Sequence, residues 1–119
     1  MQHPIHSDLV PASRTEGSTV IASLRGEIDL HNSSELRDAV LSLLTPEMPS
    51  KLVLNLGDVP YMDSSGIAVL VEALGRMRRA GGKICLTNLQ PRVRSILEIA
   101  RLNTLFILTS DEQAALALP

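Results

Sequence analysis

Apolar and polar positions along this chain follow two rhythms that take turns. Between Ser18 and Leu24, Val20, Ala22 and Leu24 share one face and Ile21 takes the other, the period of a strand. Gly26 lies just beyond it. From Asn32 the period lengthens: Leu36, Ala39, Val40, Leu43 and Leu44 recur at spacings of three and four. That predicts a helix opened by the capping types Asn32–Ser34 and closed by Pro46 and Pro49. Lys51–Leu56 is almost continuously aliphatic and reads as a central strand, with a Pro60-containing loop after it. A second helix is predicted from Ser65 or Gly66 to Ala80. Ile67, Leu70, Val71, Leu74 and Met77 form its inner face, and Gly81-Gly82 stops it. Lys83–Thr87 reads as a buried strand and Pro91–Ala100 as a short helix with Pro91 in its first turn. Leu105–Leu108 reads as a last strand. Ser110–Leu118 reads as a terminal helix capped by Ser110, with Asp111 and Glu112 in its first turn. At the front, Ile5–Val10 predicts a short strand ended by Pro11, and Ser13–Gly17 a turn.

Strands alternating with helices predict an α/β domain, a sheet with helices packed on it. The whole chain, 1–119, reads as one domain, with a core about 9–116 and a frayed 1–8. Composition narrows the picture. Tyr61 and Phe106 are the only aromatics, so the core is aliphatic and the composition argues against a base-stacking surface. A net charge of −2 leaves no electrostatic footprint for nucleic acid. The basic residues Arg76, Arg78, Arg79 and Lys83 read as the solvated end of a helix. Cys85 is the single cysteine and lies in an apolar run, where a buried, inert thiol is expected. No apolar run approaches the roughly 18 residues of a membrane span. The polar start Met1–Asp8 is not a signal peptide. The expectation is a soluble cytoplasmic protein without membrane or nucleic-acid partners.

Chemistry concentrates at Tyr61-Met62-Asp63-Ser64-Ser65-Gly66-Ile67, which joins a buried strand to an amphipathic helix. Three readings are open. Asp63 and the serines cap the helix. The first-turn N–H groups hold an anion. Or a serine is a phosphorylation switch, since phosphate adds about −1.5 to −2 charges. Catalysis fits poorly. His3 and His6 lie near the terminus, His31 lies in a polar loop, and Ser64 is not set in a Gly-x-Ser-x-Gly elbow. Phosphate-binding glycine loops and clustered metal ligands are missing, so neither a cofactor nor a metal is expected. A second segment, Arg25-Gly26-Glu27-Ile28-Asp29-Leu30, reads on its own as a polar turn.

Together, in this order and spacing, the two segments resemble the STAS domain of bacterial anti-sigma factor antagonists. Gly26-Glu27-Ile28-Asp29, Tyr61–Ile67 and the Gly81-Gly82 turn carry the resemblance, which spans roughly Leu9 to Leu116. It implies a mixed sheet of four or five strands with about four helices mainly on one face. It implies a regulator, not an enzyme, that binds an anti-sigma factor of the GHKL serine-kinase type and so releases a sigma factor. The kinase phosphorylates the serine after the motif's aspartate, here Ser64, and a PP2C-type phosphatase reverses this. The resemblance places Asp63 at the corner, Ser65 in the cap, Gly66 where a partner's backbone approaches, and Asp29 and His31 on the neighbouring loop. Helical spacing from Ser65 adds Val69, Ala73 and Arg76 to the expected partner surface. Other STAS roles remain open: a stressosome component, a biofilm or secretion regulator, or a lipid-transport accessory.

Overall fold

The computed structural model describes residues 7–119. Its elements are β1 (Ala12–Glu16), β2 (Thr19–Arg25), α1 (Ser33–Ser42), β3 (Lys51–Asp58), α2 (Ser64–Arg79), β4 (Lys83–Thr87), α3 (Pro91–Ile99), β5 (Ile107–Thr109) and α4 (Glu112–Ala117). All five strands lie in one sheet in chain order. β1 runs antiparallel to β2, and β2 to β5 run parallel. Parallel neighbours need a crossover, and α1, α2 and α3 supply the three crossovers.

The two-residue period of the strands separates two cores. Val20, Ala22 and Leu24 join Leu52, Leu54, Leu56, Ile84 and Leu86 in a large cluster with α1, α2 and α3. The intervening Ile21, Val53 and Cys85 lie in register across the sheet and meet Ala115 of α4. A thick layer of three helices thus covers one face, and one short helix covers the other. Burial pushes the Cys85 thiol pKa up, as expected of an inert cysteine.

Polar bonds tie α4 down at both ends. Lys51 is buried, and its Nζ donates to the carbonyls of Ala115 (2.8 Å) and Leu118 (2.5 Å). Carbonyls at a helix C-terminus lack intrahelical donors, so this lysine serves as their cap. At the other end Glu112 accepts from Asn55 Nδ2 at 2.9 Å and from Arg14 at 3.1 Å. The α2 C-terminus closes with the Gly81 amide on the Arg78 carbonyl and the Gly82 amide on the Met77 carbonyl. Gly81 has φ +78°, the left-handed conformation that this closure requires.

The front of the chain differs from its sequence pattern. The first strand is Ala12–Glu16, not Ile5–Val10, and the turn falls at Gly17, not over Ser13–Gly17. Ile5 and His6 lie outside the described residues, as does His3. Ser7–Val10 is a tight turn, with the Val10 amide on the Ser7 carbonyl at 3.1 Å. At the other end, Asp111 and not Ser110 caps α4, accepting from the Ala114 amide at 2.8 Å.

Candidate functional site

The two motif segments meet at the carboxyl ends of β2 and β3. The Gly26 amide donates to the Asp58 carbonyl at 2.9 Å and the Ile28 amide to Tyr61 at 3.0 Å. The Asp63 amide returns to the Ile28 carbonyl at 3.0 Å. Ile28 and Met62 form a parallel bridge, and both are fully buried. Two loops far apart in sequence are thereby stitched into one piece.

Gly66 sits beneath that stitch. A Cβ placed on it would lie 2.5 Å from Met62 Cγ and 2.7 Å from Ile28 Cγ2. The glycine therefore lets α2 approach the protein's own loops. It is buried and faces inward, so it is not the point of partner approach expected from the motif.

Asp63 is the α2 N-cap. Its Oδ1 accepts from the Ser65 amide at 2.8 Å, the Gly66 amide at 3.3 Å and the Ser65 hydroxyl at 2.6 Å. The Ser65 hydroxyl, followed by these amides and that of Leu30, holds the Asp63 carboxyl pKa below the usual carboxylate range. The helix N-terminus is thus filled by its own carboxylate, which argues against a cradle for a free anion. Ser65 has committed its hydroxyl to Asp63. Ser64 is the first residue of α2, is exposed, and bonds nothing through its hydroxyl among the described residues. No base lies within hydrogen-bond reach of that hydroxyl among them, so a nucleophile–base pair is not formed.

Asp29 and Asn32 fold the neighbouring loop. Asp29 Oδ1 accepts from the His31 amide at 2.9 Å, and Asn32 Oδ1 accepts from the Asp29 amide at 2.9 Å. Asn32 Nδ2 donates to the Glu27 carbonyl at 2.8 Å. Asn32 occupies the N-cap position of α1, yet its side chain serves the loop. His31 is 96% exposed, its Nδ1 3.6 Å from Asp29 Oδ1. Leu30, between them, is 79% exposed. Sequence reading passed it over, because one leucine in a polar loop carries no periodic signal.

The face of α2 is rotated from the expected one. Val69 and Ala73 are buried, at 4% and 0% exposure, and cannot belong to a partner surface; Val71, expected inside, is 40% exposed. The reason is that α2 packs on the sheet and also against α1, which widens its buried arc. Ala68 and Val71 are the exposed apolar positions running down α2 from Ser64. Arg76 stays exposed and pairs with Glu72 at 3.2 Å. Arg37 of α1 bridges Glu72 through two bonds of 2.7 and 2.8 Å and holds the Glu72 carboxyl low. A shallow groove between α1 and α2 runs past Ser33, Arg37, Ser65 and Ala68. On the far side of the corner, Arg92 stacks over Tyr61 at 4.6 Å. Among the described residues no helix is long and apolar enough to cross a membrane.

Known proteins share this arrangement. Residues 10–115 match the STAS domain family. The anti-sigma-B factor antagonist of Bacillus subtilis is 30% identical over 76% of this chain and 82% of its own length. In structure, the anti-sigma factor antagonist SpoIIAA in its unphosphorylated form is similar with a TM-score of 0.73. It is 22% identical, covering 87% of this chain and 91% of that one. An anti-sigma factor antagonist from Mycobacterium paratuberculosis gives 0.78 at 22% identity, with 88% of each chain covered. By sequence match over most of its length, and by the fold and loop corner just described, the chain belongs to the STAS domain family.

Proposed function

We propose that the chain is an anti-sigma factor antagonist switched off by phosphorylation of Ser64. In its unphosphorylated form it binds an anti-sigma factor that is itself a serine kinase of the GHKL type, and a sigma factor is released. The kinase phosphorylates Ser64, and a PP2C-type phosphatase restores binding. The chain acts in the cytoplasm as a binding module, not as an enzyme. The relatives' names support the role. The observation that carries the site is the contrast at the α2 N-terminus: the Ser64 hydroxyl is exposed and uncommitted, while Ser65 is locked onto Asp63.

Physical chemistry supports a switch that spares the fold. A phosphate dianion on the exposed Ser64 side chain stays hydrated in the free chain and leaves the core packing untouched. The same dianion buried against a partner without paired cations costs several kcal/mol. Each ~1.4 kcal/mol is a tenfold loss of affinity. The partner surface in this reading comprises Ser64, Asp29, His31, Ala68, Val71 and Arg76, with Asp63 and Ser65 holding its shape.

The test is intact-mass spectrometry with site mapping after incubation with ATP and candidate serine kinases. One phosphate on Ser64, absent from Ser64→Ala, supports the switch. Binding of Ser64→Asp as tight as wild type refutes it.

A further inference from the structure

We infer that Leu30 is the apolar anchor by which the partner of Ser64 grips the unphosphorylated chain, an inference that rests on the function proposed above. Leu30 is 79% exposed, although the loop carrying it is held from both sides. Before it, Ile28 is bridged to Met62; after it, the Asn32 side chain ties back to Asp29 and Glu27. The Leu30 amide itself faces the Asp63 carboxylate. A leucine on a fixed backbone loses little freedom on binding, which favours it as a contact point.

Continuity identifies the occupant. Leu30 lies two residues after Ile28, whose carbonyl holds the Asp63 amide at 3.0 Å, and Asp63 immediately precedes Ser64, so a protein that covers the Ser64 hydroxyl also covers Leu30. The surroundings define that protein's matching patch. Glu27 and Asp29 share the loop of Leu30, and Asp63 is stitched to that loop at Ile28, while the arginines nearest in sequence are engaged elsewhere. Arg25 donates to the Asp8 carbonyl and Arg37 to Glu72. The patch is therefore an apolar pocket with a rim of hydrogen-bond donors and without carboxylates. A phosphate on Ser64 keeps its hydration shell at the edge of this pocket, so the leucine contact cannot close. The switch thus acts on Leu30 as much as on Ser64.

The experiment is calorimetric titration with the purified GHKL-type kinase that phosphorylates Ser64, using the whole chain. Leu30→Ala is expected to bind roughly 10- to 100-fold more weakly, the range set by burying one leucine side chain. Leu30→Met stays within about threefold of wild type, since it fills the same pocket. Ile99→Ala, which removes an 82%-exposed side chain at the far end of α3, changes nothing. All three melt with wild type, because the side chains removed are exposed. If Leu30→Ala binds within about twofold of wild type while Ser64→Asp does not bind, the inference falls and the switch stands. If wild type itself binds no such kinase, both fall.

Discussion

Gly66→Ala and Gly75→Ala place the same methyl group on the same helix and should move stability in opposite directions. At Gly66 the new carbon meets Met62 Cγ at 2.5 Å and Ile28 Cγ2 at 2.7 Å. Carbon atoms prefer about 3.5–4.0 Å, so an overlap of about 1 Å must be relieved. Neither neighbour has room to retreat, since both are fully buried and the backbone on each side is hydrogen-bonded. Overpacking of this kind costs roughly 1–3 kcal/mol. At Gly75 the nearest atom is Arg79 Nη1 at 3.6 Å, the end of a flexible side chain. There the substitution gains the helix preference of alanine, up to about 1 kcal/mol. Both variants share the preference term, so their difference isolates the steric term. Urea unfolding should place Gly66→Ala below Gly75→Ala by roughly 1–3 kcal/mol with an unchanged slope. In melting temperature the separation is about 3–10 °C for a domain of this size. Equal stability of the two variants would refute the close packing of α2 against the stitched loops.

Asp63→Asn addresses the cap through pH. Hydrogen bonds from Ser65 and the first-turn amides hold the folded-state pKa of Asp63 below the ordinary carboxylate range, so its contribution is fully present above that range and fades as pH falls through the folded value. The melting-temperature gap between wild type and Asp63→Asn should therefore be widest near neutrality and shrink below about pH 4; a gap constant down to pH 2.5 contradicts this. Thr87→Val tests a buried hydroxyl with no partner among the described residues. Stability should hold or rise by up to about 2 kcal/mol in urea melts, and a clear loss would reveal a hydrogen bond. Lys51→Met removes the donor to the Ala115 and Leu118 carbonyls. It should cost about 1–3 kcal/mol and speed native-state labelling of Cys85, which α4 helps to cover; unchanged labelling would show that Lys51 does not hold α4 down.

The interior of the sheet was legible in the sequence because β2, β3 and β4 bury both faces or alternate cleanly. β1 was not, because Ala12–Glu16 is an edge strand exposed at every residue and has no apolar face to display. The apolar pair Leu9 and Val10 drew the strand too early; they pack on the main core from a turn. The helix α2 shows a different limit. Its seven buried residues cover nearly half of the circumference, an arc wider than and shifted from the predicted one, so spacing alone could not decide which of Val69, Val71 and Ala73 faces out. The corner at Asp63 was legible by residue type, since aspartate before serines is a cap signature. The approach of Ile28 to Met62 came only with the resemblance and the structure, because no local pattern pairs two loops separated by a helix and a strand.

That pairing bears on the kinetics of recognition. The two halves of the surface have no hinge between them, so docking requires no folding step and no rearrangement of one loop relative to the other. Association should then run at the ordinary rate for preformed surfaces, about 10⁵–10⁷ M⁻¹s⁻¹. A covalent mark on such a surface has no alternative shape to select. It acts by making one rigid face incompatible with another, and should appear chiefly as faster dissociation.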